Sequence, residues 1–124
     1  MSIDWSDAIA WFGRKPDFHD GEVLSVELRR SPQKSSIRVL AWNTGGTVDH
    51  RGYLTRERQV VVHLSLDGIV EQDLRGWNHQ NVLLSLEEVE TDSGSKIELQ
   101  SSFGLEGTVA ANSIVVEIEH PDDY

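Results

Sequence analysis

Two short polar runs hold most of the residues that could do chemistry. The first is Phe18-His19-Asp20-Gly21-Glu22. An imidazole beside two carboxylates can act as a base or a ligand, with Asp20 or Glu22 orienting it. It can also be a structural turn, since Asp-Gly pairs favour turns and Phe18 would anchor in the core. The second run is Gly76-Trp77-Asn78-His79-Gln80-Asn81. Its consecutive amide and imidazole groups offer a ligand many donors and acceptors. They can equally satisfy backbone groups where one strand hands over to the next, with Trp77 capping the core. His19, Asp20, Glu22 and His79 together make an inventory for a small-ligand or divalent-metal site, hydrolytic in character. No pair has the spacing that would fix two ligands on one element, so neither a metal nor another cofactor is expected. His50, His63 and His120 read as surface histidines. There is no G-x-S-x-G elbow and no phosphate-cradling glycine pattern, so no catalytic residue is assigned.

The elements that must position these runs show in the hydrophobic periodicity. Trp5, Ala8, Ile9 and Phe12 share one helical face, predicting a helix over about 4–13. Asp4 is its expected N-cap, Gly13 its left-handed terminator, and Pro16 blocks continuation. Beyond it the period becomes two. Alternating segments lie at 24–28, 37–42, 62–67, 82–87, 97–99, 109–111 and 114–119, with 69–75 a weaker edge candidate. Residues 32–35 and 92–95 read as hairpin connections, and Asn112-Ser113 as a further turn. Residues 43–59, rich in Gly and charge, read as a long mobile loop. The expected fold is α+β, mostly β: a curved antiparallel sheet of about seven strands in a meander, packed on one N-terminal helix. One domain over 1–124 is expected, ending in a short acidic tail at 120–124.

Composition narrows the function classes. The 124 residues contain no cysteine, which excludes disulfides and thiolate zinc sites. No apolar run approaches the roughly 20 residues of a membrane-spanning helix. The N-terminus lacks the basic and apolar regions of a signal peptide, so a cytoplasmic location is expected. A net charge of −10 argues against partners such as nucleic acid or anionic membranes. That charge is lopsided. Residues 85–124 hold ten acids and a single base, Lys96. Glu87, Glu98, Glu117 and Glu119 fall at the wet positions of alternating strands. They form either a solvated face or a docking surface for a basic partner.

The helix, the Phe18–Ser25 run, the Val60–Leu66 strand, the Leu74–Val82 run and Phe103-Gly104-Leu105-Glu106-Gly107 together resemble the Immunity protein 50 family. The resemblance spans about residues 5–119, and residues 43–59 have no counterpart in it. These are small bacterial proteins assigned to polymorphic toxin systems. The resemblance implies a non-enzymatic protein that binds a cognate toxin and blocks it. It carries no catalytic residues to transfer. A nuclease toxin would be basic, which suits the acidic third of this chain. His19, Asp20, Glu22 and Trp77 to Asn81 are then candidate contacts, with Trp42, Tyr53 and Trp77 as aromatic anchors.

Overall fold

The computed structural model describes residues 3–16, 18–48, 50–52 and 54–119. The elements are α1 (Ser6–Phe12), β1 (Glu22–Glu27), β2 (Ser35–Val48), β3 (Leu54–Arg75), β4 (Val82–Val89), β5 (Ser95–Phe103) and β6 (Glu106–Glu119). All strand pairs are antiparallel, and the sheet closes as a barrel in the order β1-β2-β3-β6-β5-β4. The mostly-β class, the curved antiparallel sheet and the packed N-terminal helix are all as the alternation predicts.

Three segments differ from the sequence reading. Residues 43–48 and 54–59, expected as loop, extend β2 and β3 into a long hairpin. Glycine and charge weaken the alternation there, yet Asn43↔Glu57, Thr44↔Arg56 and Val48↔Leu54 keep the ladder. Residues 69–75 are no separate edge strand but the far half of β3, bent by a bulge between Ile69 and Glu71. Asn112-Ser113 is no turn: β6 runs straight through it. At that point Gly68 of β3 takes a left-handed φ of 67°, and a Cβ there would lie 2.3 Å from the Asn112 amide nitrogen. Turn-forming residues here sit within two paired strands rather than ending one. Asp49, Tyr53 and the acidic tail lie outside the described residues.

The chain also departs from a simple meander. β1-β2-β3 and β4-β5-β6 are two meanders joined through β3 and β6 and closed between β1 and β4. Alternation tells which face of a strand is buried, not which strand lies beside it, so this order was invisible in the pattern. In a ring of this order β3 and β4 are opposite each other. The connection 76–81 therefore crosses one end of the barrel as a strap.

Ile37, Val39, Val60, Val62, Leu64, Leu66, Leu83, Ile97, Leu99 and Val109 fill the interior, each at most 1% exposed. At one end the core continues into Ile3, Trp5, Ala8 and Phe12 of the N-terminal segment. Ile9, expected on the buried face of the helix, is 42% exposed. The N-cap position is Trp5; Asp4 instead accepts a bond from the Ser6 N–H (2.9 Å), and the Ser6 side-chain hydroxyl together with that N–H holds its carboxyl below the ordinary range. Gly13 ends α1 in the left-handed conformation, as expected, with its N–H bonded to Ile9 O at 2.7 Å.

β6 overhangs β5: its pairing to β5 stops at Ala111. The chain covers that free edge itself. Asp4 bridges Val115 in parallel, and the Ile118 N–H donates to the Asp7 carboxylate at 2.9 Å. β3 overhangs β2 in the same manner, since their pairing begins at Ser35↔Leu66 and leaves 67–75 bonded only to β6 among the described residues.

Candidate functional site

The two polar runs meet at the barrel seam. Phe18 and Asp20 both take φ of 63°. Phe18 is 2% exposed and stacks at a tilt on Trp5, so burial offsets a conformation that bulky residues rarely adopt. Gly21 closes the turn, its N–H bonded to Phe18 O at 2.8 Å. The turn then locks onto the start of β4. Asp20 N donates to Leu83 O, Leu83 N to Gly21 O, and Val23 N to Asn81 O, all within 2.8–2.9 Å. These bonds, with the pair Glu22↔Val82, hold β1 to β4.

Asn81 is the bolt of the strap. Buried to 3% exposure, it accepts from Asn78 N (3.0 Å) and Leu105 N (2.9 Å) through Oδ1, and donates from Nδ2 to Asn78 O (3.0 Å). Gly104 makes room: a Cβ there would sit 2.4 Å from Asn81 Oδ1. The 103–107 run is thus tied to the strap. The Asn81 side chain is used internally, while Trp77, Asn78, His79 and Gln80 are exposed. Asn78 Oδ1 lies 2.8 Å from both the backbone N and Nδ1 of His79, whose ring packs edge-on against Phe103 at 5.7 Å.

His19 is exposed and sits elsewhere. Its Nδ1 lies 3.4 Å from Leu84 O and its Nε2 3.8 Å from Asp20. It borders a recess with Lys15, Leu84 and Glu88, whereas His79 sits with Asn78 and Phe103. Glu22 is half-buried at the seam. Among the described residues, no group of three His, Asp or Glu side chains is placed to hold a metal ion. The geometry therefore gives the ligand or metal reading of His19, Asp20, Glu22 and His79 no support.

The four acidic candidates separate into two places. Glu87 stands directly across from Glu98 on β4 and β5, and Glu98 is level with Thr108, which is level with Asp73. Asp73, Glu98 and Glu87 thus form a lateral row over four strands, about 14 Å long at the usual strand spacing. Glu106 and Arg75 lie beside the row, around an open groove of about 420 Å³. The cations present are partnered, Arg75 with Asp73 at 3.3 Å and Lys96 with Glu71 at 3.8 Å. Glu117 and Glu119 lie farther along β6, beside β3 and β2. Glu119 receives two bonds from Arg38 (2.7 and 2.8 Å) and has His63 at 3.6 Å, so it is largely neutralised. The Arg38 guanidinium holds the Glu119 carboxyl below its ordinary range.

Sequence reading missed Glu71, Asp73 and Glu106 as members of the acidic face. Asp73 is offset in the tally by its neighbour Arg75, and only strand order brings it beside Glu98. It also missed a second recess, of about 610 Å³, under one side of the strap. Val26, Leu28, Leu74, Trp77 and Leu105 line it, with Gln72 and Arg75 at its border. Trp77 is 53% and Leu28 48% exposed.

No curated protein and no solved structure matches the chain. The protein-family model for Immunity protein 50 matches residues 7–121. That match contains the seam turn, the strap, the 103–107 run and all six strands, and the chain belongs to the Immunity protein 50 family.

Proposed function

We propose that this protein neutralises a cognate, basic toxin by tight, non-enzymatic binding in the cytoplasm, acting as one folded unit. Family membership supplies the class of partner. The observation that carries the chemistry is the row Asp73–Glu98–Glu87 on an outer face where Arg75 and Lys96 are outnumbered by Glu71, Asp73, Glu87, Glu98 and Glu106. Glu87 and Glu98 set like charges side by side on neighbouring strands, which costs stability and favours a role in recognition. A basic toxin approaching such a field gains association rate, up to about 10⁸–10⁹ M⁻¹s⁻¹ at low salt. In this reading the exposed strap residues Trp77, Asn78, His79 and Gln80 contribute contacts, as do His19 and Asp20 at the seam. Asn81 and Glu22 hold these contacts in place. Glu117 and Glu119, farther along β6 beside His63 and Val61, stand apart from this row.

The test is co-expression with the protein encoded by the neighbouring gene. Protection of the host and a complex that survives purification are expected. A harmless neighbour, or one that stays toxic and unbound, would end this reading. An association rate unchanged between low and high salt would remove its electrostatic part.

A further inference from the structure

Among the described residues several strands outrun a neighbour, and two of these overhangs, on β6 and β3, differ in how they are covered. At β6 the chain's own residues 3–7 lie along the edge, through the Asp4–Val115 bridge and the Asp7–Ile118 bond. At β3, residues 67–75 have no strand on the β2 side among the described residues. The Leu74 N–H is held there by the Gln72 side chain of the same strand at 3.1 Å. A side chain from two residues away is a local stopgap for a ladder partner, easily displaced by a carbonyl.

This edge divides two different surfaces. Alternation in β3 points Gln72 and Leu74 into the apolar recess with Val26, Leu28, Trp77 and Leu105. It points Asp73 and Arg75 onto the acidic groove with Glu98 and Glu106. A strand added along β3 would present its own alternating side chains to the same two surfaces. We propose that β3 residues 67–75 receive an extended segment of the toxin as an added strand, with apolar side chains in the recess and Lys or Arg side chains over the acidic row. The proposal rests on the immunity reading given above and specifies its surface. Charge chooses the occupant. A second copy of this chain would bring a second acidic row against the first, and an anionic membrane would be repelled by the net charge of −10.

The experiment has two arms. In the first, the neighbour-encoded protein is titrated against wild type, Trp77→Ala, Leu28→Lys and Asp73→Lys, with circular dichroism checking each fold. Trp77→Ala and Leu28→Lys are expected to weaken affinity by about tenfold or more, through faster dissociation. Asp73→Lys is expected to slow association several-fold. Wild-type binding with all three variants within about twofold of it would overturn the proposal and leave the immunity reading standing. If wild type does not bind that protein, the immunity reading fails and the second arm judges the surface. There, a short amidated peptide alternating Lys with Val, with Trp at its centre, is added to ¹⁵N-labelled protein. Shifts concentrated at 67–77 and at Leu28, with slowed amide exchange at Leu74, support strand addition. Shifts centred on α1, dimerisation of the protein alone, or no shifts overturn it.

Discussion

Single residues carry unequal weight in this fold. Asn81 substitutes for missing backbone partners at three points, so truncating it leaves the Leu105 and Asn78 N–H groups without acceptors. The Leu105 N–H is buried and the Asn78 N–H partly so, and an unsatisfied buried donor costs roughly 1–3 kcal/mol. Asn81→Ala should therefore lower unfolding free energy by about 3 kcal/mol, measurable by urea denaturation at neutral pH. Exposed Gln80→Ala is the control and should change it by less than about 0.5 kcal/mol. Glu119 gives a pH signature. Its carboxyl titrates lower when folded than when unfolded, because the Arg38 bonds favour the charged form. Its contribution is complete above the unfolded value of about 4.3 and is lost as pH falls through the lower folded value. Glu119→Gln should thus cost about 1 kcal/mol at pH 7, a modest figure because the pair is partly exposed. The gap from wild type should narrow progressively below about pH 4. A gap that widens in acid would show the sign to be wrong.

Among the elements, α1 is short and leans on its contacts. Helices this short are marginal alone. Its last carbonyls are satisfied from the β2–β3 hairpin, Trp11 O by Arg58 Nε (2.9 Å) and Phe12 O by Asn43 Nδ2 (2.8 Å). Trp11 Nε1 returns a bond to Arg58 O at 2.8 Å, and the Arg58 guanidinium lies 4.1 Å over the Trp11 ring. Arg58→Ala should loosen helix and hairpin together, costing about 1–2 kcal/mol. Tryptophan fluorescence should shift before global unfolding in a denaturant series; full coincidence of the two transitions would argue against the coupling. The helix and its Gly13 stop were legible in the sequence because a 3.6-residue apolar period and a left-handed cap are local signals. Its partners were not. Arg58 and Asn43 sit in a stretch whose weak alternation read as loop, and a capping bond made across 31 or 47 residues leaves no mark on spacing. The same limit hid the strap. The sequence showed Asn78 to Asn81 as a dense polar run and offered turn satisfaction as one reading. It did not show that β3 and β4 lie opposite each other, which is what gives that run a barrel end to cross.

Across the whole molecule, charge and stability pull in opposite directions. The lopsided acidity was visible from composition, but its arrangement required the strand order. Asp73 comes from the nearly neutral part of the chain, and Glu119 is quenched by Arg38. Glu87→Lys should replace the Glu87–Glu98 repulsion with attraction and raise unfolding free energy by about 0.5 kcal/mol. The same change should slow association with the neighbour-encoded protein. Stabilisation without slower association would mean the row is only a solvated face. The overhang of β6 also has a consequence in time. The bond from Ile118 to Asp7 joins residues 111 positions apart, and the helix lies against the last strand of the barrel. A chain made from its N-terminus must hold Trp5, Ala8 and Phe12 without their final neighbours until β6 has been synthesised. Contacts this distant form late and slowly. On the proposed function, protection is therefore expected only from chains whose synthesis has passed β6.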